Sequence, residues 1–194
     1  YLVVNHAVAR VALNLADAAF LQLDEIVDDG IERPEEAMAS GSAESLIAWD
    51  EIGRWGKNFI AAGPTQESIG EFWGEDAMRP LRVYVGLGAK ESPQERAQLA
   101  LQELIRVGGF DRSILIVATP TGTGWHDPGA VDTIEYLHKG DTAIVTTQYS
   151  YLPSWLTVLV DPKRSRESAT ALFNEVYDHW KSLPADDRPK LFLY

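Results

Sequence analysis

From Arg82 onward, short runs of apolar and β-branched residues alternate with stretches of helical periodicity. This alternation restricts the fold more than any other feature of the chain. Ile114-Leu115-Ile116-Val117-Ala118 carries no polar residue, as expected of a strand covered on both faces. Val83-Tyr84-Val85-Gly86-Leu87, Ala143-Ile144-Val145-Thr146-Thr147 and Leu191-Phe192-Leu193-Tyr194 read the same way. Three helices are predicted between them, each with its own start signal. Ser92-Pro93-Gln94-Glu95 is a capping box with proline in the first turn. Ala97, Ala100, Leu101, Leu104 and Ile105 follow on one face, and Gly108-Gly109 stops the helix. Asp127-Pro128 opens the second helix, with Val131, Ile134 and Leu137 inward and Gly140 closing it. Asp161-Pro162 opens the third, with Ala169, Leu172, Phe173, Val176 and Trp180 on one side. Strands joined by helical crossovers pair in parallel. The predicted fold is therefore α/β, a mostly parallel sheet with helices on both faces. Its strands fall near 82–87, 113–118, 142–148 and 190–194.

The first 45 residues read differently. Val4, Val8, Val11, Leu15 and Ala18/Ala19 recur at helical spacing, which predicts an N-terminal amphipathic helix over 2–27. Residues 28–45, with Asp28-Asp29-Gly30, Pro34 and Ser40-Gly41-Ser42, read as an acidic, small-residue linker. The chain thus divides into 1–45 and a domain over 46–194. That domain opens on a stretch rich in Trp and Gly, where Thr65 is placed to cap a short helix over 66–73. Asn5, His6, Arg10, Asn14 and Asp17 interrupt the opening helix, so it fails the test of about 18 uninterrupted apolar residues for a membrane span. It also lacks the basic leader and cleavage pattern of a signal peptide.

At 194 residues with 45% hydrophobic and 24% charged side chains, the chain can bury one substantial core and reads as soluble. Its net charge of −12 repels phosphate backbones, which argues against a nucleic-acid partner. The absence of cysteine excludes disulfides and thiolate zinc sites. His6, His126, His138 and His179 show no metal-ligand spacing. No metal or cofactor is expected.

In an open α/β sheet, ligands bind beyond the carboxyl ends of the strands. The richest segment there is Thr119-Pro120-Thr121-Gly122-Thr123-Gly124-Trp125-His126, between the second strand and the Asp127-Pro128 helix start. Its glycines let backbone N–H groups turn toward an anion, and an oxyanion hole needs such donors. A glycine-rich connection that merely turns the chain fits the pattern equally well. Gly122-Thr123-Gly124 lacks both the third glycine of a dinucleotide fingerprint and the lysine of a P-loop. After the third strand, Gln148-Tyr149-Ser150-Tyr151-Leu152-Pro153-Ser154-Trp155 could line an apolar pocket. The candidate oxyanion and substrate-binding residues are Thr121, Gly122, Thr123, Gly124, Trp125, Tyr149, Ser150 and Tyr151. Gln66-Glu67-Ser68-Ile69-Gly70 imitates a nucleophile elbow, but a turn and a helix cap precede it where a strand is required. No Gly-x-Ser-x-Gly occurs in the chain. His126 and His138 read as surface or supporting residues.

Four segments carry a family resemblance: Val83–Leu87, Ala118–Trp125, Asp141–Val145 and Gln148–Leu156. With Trp49-Asp50-x-x-Gly53-Arg54-x-Gly56-x-Asn58-Phe59, they make the chain resemble, over roughly Ser45 to Tyr194, a bacterial family of membrane-anchored α/β-hydrolases. The resemblance implies a multi-spanning membrane region ahead of the hydrolase domain, met upstream of Tyr1. It also implies a Gly-Glu-Ser-Leu-Gly elbow directly after Leu191–Tyr194, with the acid and the histidine further on. The chain is then the front portion of the domain, ending before the elbow and holding no triad residue. Thr121–Trp125 is the counterpart of the oxyanion loop. The implied activity is that of a serine hydrolase of esterase, lipase or thioesterase type, acting on a small or lipid-like apolar acyl ester. Its partners are the rest of the domain and the membrane. A non-catalytic binding domain and an acyltransferase on the same fold are the alternatives.

Overall fold

The computed structural model describes residues 18–194. Strands β1 (Leu81–Val85), β2 (Ile114–Ala118), β3 (Thr142–Thr147) and β4 (Lys190–Leu193) form one sheet in the order β1-β3-β2-β4. Every neighbouring pair is parallel, as the alternation predicts. The helices are α1, whose described part covers 18–24, α2 (Arg54–Ala61), α3 (Gln66–Trp73), α4 (Pro93–Arg106), α5 (Pro128–Leu137), α6 (Ser154–Val160) and α7 (Arg164–Ser182). The part of the predicted opening helix before residue 18 lies outside the described residues. Among the described residues no helix is long and apolar enough to cross a membrane.

Three of the start signals act locally, as read. Ser92 and Glu95 cap α4 reciprocally, Thr65 and Ser68 do the same for α3, and Asp127 caps α5 through Gly129 N–H. Strand register then sorts the helices. In a parallel pair, residues opposite one another share a face, so Arg82, Ile144 and Ile116 point one way and Val83, Val145 and Val117 the other. On the first face Arg82 bonds Glu135 of α5 and the Phe59 carbonyl of α2. On the second, Thr147 Oγ1 meets Ser168 Oγ of α7 at 3.0 Å, and α4 packs against α7. β2 and β3 are buried along their whole length between these layers.

Four features differ from the sequence expectation. The apolar run of β4 predicts burial, yet Phe192 is 51% and Leu193 66% exposed. The strand lies at one end of the order, paired with β2 alone among the described residues. The sequence predicts a loop after β3, but the second half of that segment forms α6. Trp155, Leu156, Val158, Leu159 and Val160 give it no polar face from which to read a helical period. Asp161-Pro162 does not cap the last helix, which starts at Arg164 after an N-cap at Lys163. Ile105 and Leu137, expected inward, are 46% and 63% exposed because each stands in the last turn of its helix, where the packed stripe has ended.

The acidic, small-residue stretch before α2 is fastened to α4. Glu103, fully buried, accepts hydrogen bonds from Ser40 Oγ at 3.0 Å, Ser45 Oγ at 2.6 Å and Leu46 N–H at 3.0 Å. Arg106 completes the shell through Nε at 2.8 Å and Nη2 at 2.7 Å. Burial pushes the Glu103 carboxyl pKa up, but these donors outweigh it and hold the group below its ordinary value.

Candidate functional site

Parallel strands deliver the segments after β1, β2 and β3 to one edge of the sheet. The three converge on Gln148, the first residue after β3, which is fully buried. Its Oε1 accepts from Leu87 N–H at 3.0 Å, after β1. Its Nε2 faces Thr123 O at 3.1 Å, after β2, and Ser150 O at 3.2 Å, in its own loop. A third acceptor, Asp24 Oδ1 at 3.3 Å, comes from the end of α1. Burial raises the Asp24 carboxyl pKa against the bonds from Gln148 and the Arg54 backbone. Tyr84, fully buried on β1, donates its hydroxyl to Gly124 O at 3.1 Å, and burial pushes its pKa well up.

The glycine loop folds back on itself. Thr121 N–H donates to Trp125 O at 3.0 Å and Gly124 N–H to Thr121 O at 2.9 Å. Trp125 N–H donates to Thr121 Oγ1 at 3.2 Å, and Gly122 N–H to Ser154 Oγ at 2.8 Å. Two positions require glycine. A Cβ on Gly122 would lie 2.2 Å from Leu152 O, and Gly124 has φ +97° with a Cβ position 2.0 Å from the Tyr84 hydroxyl. The chain just ahead of the loop continues the pairing with β4, since Thr119 N–H donates to Tyr194 O at 2.8 Å and Tyr194 N–H to Val117 O at 3.1 Å.

The structure brings together only part of the candidate set named from sequence. Thr121, Gly122, Thr123, Gly124 and Trp125 form one turn, and Gly122 touches the Leu152–Ser154 backbone. Ser150 is fully buried and serves its own loop, accepting from Leu152 N–H at 3.0 Å and Thr157 Oγ1 at 3.0 Å. Tyr149 and Tyr151 line an open cavity of about 730 Å³ whose other walls include Lys90, Arg96 and Arg164, so it is charged where an apolar pocket was expected. Trp125 faces a separate cavity of about 120 Å³ with Trp55, Phe59 and Val131. A further cavity of about 490 Å³ lies at Pro80 and Leu81, the opposite end of the strands.

The sequence gives no sign of Tyr84 as a site residue, and it marks Gln148 and Ser154 only as members of a pocket-lining loop, not as the hydrogen-bonding partners of the glycine loop. The available signal was Gln148 itself, a primary amide directly after the apolar run Ala143–Thr147. The decoy Ser68 spends its hydroxyl on Thr65 O in the cap of α3. Among the described residues no serine hydroxyl is bonded to a histidine ring. His138 is exposed. His126 is buried, with Nε2 3.0 Å from Thr146 Oγ1 and its ring 4.9 Å from that of Phe59.

Burial, then the Arg82 charge, push the His126 pKa down to about 4. The unfolded chain, with a histidine pKa of about 6.5, takes up this proton first as pH falls. His126 therefore leaves stability intact above about pH 6.5 and erodes it progressively down to its folded pKa of about 4. Urea titrations at pH 7 and 4.5 are expected to show the wild type losing about 2 kcal/mol more than His126→Phe. Equal losses would show that the ring is not held neutral.

Residues 81–194 match the α/β-hydrolase family, and residues 1–64 match the N-terminus of the α/β-hydrolase family. The chain belongs to the α/β-hydrolase family. No curated protein and no solved structure matches it. The first family match contains the whole sheet and the glycine loop, and the second contains α1 and α2. The Gln148–Asp24 hydrogen bond therefore joins the two family regions.

Proposed function

We propose that the chain supplies the oxyanion side of a serine hydrolase of esterase, lipase or thioesterase type, with the nucleophile on the residues that follow Tyr194. One observation carries this reading: Thr119, two residues ahead of the glycine loop, is hydrogen-bonded to Tyr194, so the loop and the end of β4 leave the sheet side by side. A serine on a turn after β4 emerges beside the loop's backbone amides, the arrangement acyl transfer requires. The serine attacks the ester carbonyl, and the loop stabilises the charge that develops on the carbonyl oxygen while the alkoxide leaves. The base that takes the serine proton comes from further along the chain. The apolar walls beside Trp125, with Trp55, Phe59 and Val131, support an apolar acyl group as substrate. Attachment to a membrane ahead of Tyr1 belongs to the same reading and is carried by the family resemblance alone.

A second reading, a binding domain without catalysis, is favoured by one feature. Four of the loop amides already have partners within the chain.

Fluorophosphonate labelling tests the proposal. The chain through Tyr194 is expected to stay unlabelled and the full-length protein to label at a serine just beyond it. The contrast should be several orders of magnitude, the usual effect of removing a nucleophile. Label on Ser68, Ser150 or Ser154 would overturn this location for the nucleophile. A full-length protein that carries the elbow serine and does not label would favour the binding domain.

A further inference from the structure

Of the five amides in Thr121–Trp125, four are spent: Thr121 on Trp125 O, Gly122 on Ser154 Oγ, Gly124 on Thr121 O and Trp125 on Thr121 Oγ1. Only the N–H of Thr123 has no partner among the described residues. The residues on either side of this amide are both clamped from the segment after β3. On its N-terminal side the Gly122 N–H is held by Ser154 Oγ at 2.8 Å. On its C-terminal side the Thr123 carbonyl is held by Gln148 Nε2 at 3.1 Å. Gln148 cannot drift, because its Oε1 is anchored on Leu87 N–H at 3.0 Å and its side chain is fully buried. Gly122 cannot drift either, since its α-carbon is packed on the Leu152–Ser154 backbone.

A donor fixed before the reaction is worth more than one that must be reoriented during it. We propose that the Thr123 amide is the oxyanion donor of the glycine loop, and that Gln148 and Ser154 are the positioning residues that present it. The assignment rests on the hydrolase reading above and narrows the sequence expectation, which took the whole turn Thr121–Trp125 as the oxyanion loop, to a single donor. In this arrangement Gln148 never touches substrate. It acts by holding the Thr123 carbonyl, and the same side-chain amide reaches Asp24 in the N-terminal region.

Two substitutions in the full-length protein test this, read by fluorophosphonate labelling rate and by kcat and KM on a short-chain aryl ester. Gln148→Met keeps the side-chain size and removes every hydrogen bond. It is expected to lower kcat and the labelling rate ten- to a hundredfold with KM changed by less than about threefold, as for a misplaced donor. Ser154→Ala lies at an exposed position and leaves the core intact, so it guards against a Gln148 variant that fails to fold. It is expected to slow labelling several-fold. The rival assignment gives the opposite sign: if Gly122 N–H were the donor, Ser154→Ala would free it and labelling would speed up. Faster labelling of Ser154→Ala, or a Gln148→Met protein as reactive as wild type, overturns the assignment while leaving the hydrolase reading in place. A wild-type full-length protein that does not label removes the hydrolase reading, and this assignment with it.

Discussion

Replacing Arg82 with methionine is expected to cost about 3–5 kcal/mol, the usual loss when one partner of a buried ion pair is removed. Three elements depend on this one side chain, which is only 7% exposed. Its Nε and Nη2 bond Glu135 at 2.7 and 2.6 Å, Nη2 meets Asp132 Oδ1 at 2.5 Å, and Nη1 donates to Phe59 O at 2.6 Å. The guanidinium also lies 4.7 Å over the Phe59 ring. Removing it strands the Glu135 carboxylate, which is wholly buried and whose pKa burial already raises despite the bonds from Arg82. Thermal melts should show a fall of about 10 °C or more for a chain of this length. The double variant Arg82→Met, Glu135→Met should recover most of the loss, because a well-packed apolar pair can replace a buried ionic one. A single variant within about 1 kcal/mol of wild type, the range of an ordinary exposed pair, would show that the cluster is not buried as described.

The second large effect is expected at Gly124. Alanine there must adopt φ +97°, and its Cβ would lie 2.0 Å from the Tyr84 hydroxyl. Tyr84 is fully buried and cannot swing aside. Backbone strain and overpacking together should cost about 2–4 kcal/mol, and the Tyr84–Gly124 hydrogen bond is lost. The clash has a named partner, so it can be relieved. Gly124→Ala combined with Tyr84→Phe should be less destabilised than the sum of the two single variants, by about 1 kcal/mol or more. Strict additivity in urea denaturation would show that the hydroxyl is not what excludes the methyl group.

Arg82 and Gly124 also mark where sequence reading stopped. The strand around Val83–Val85 was recognised from its apolar residues, but nothing in them reveals that Arg82 pairs with a glutamate more than 50 positions away. The loop Thr121–Trp125 was recognised from its glycines. Which of its amides remain unpartnered depends on Ser154 and Gln148, contributed by the next crossover. The candidate pocket residues were judged by type alone. Tyr149 and Tyr151 ended beside Lys90, Arg96 and Arg164, and Trp125 ended beside Trp55 and Phe59.

The sequence by itself determined the α/β class, the three crossover helices between the strands, the caps of the first two and the parallel sense of the sheet. These depend on interactions within a few residues, on the burial of continuous apolar runs and on the chain's need to cross the sheet between parallel strands. The strand order β1-β3-β2-β4, the exposure of β4 and the helix at Ser154–Val160 were decided only by tertiary packing. So was the junction of three loops on Gln148. A single buried amide satisfies groups from segments about 60 residues apart along the chain, and it does so because burial leaves those groups no water to bond instead.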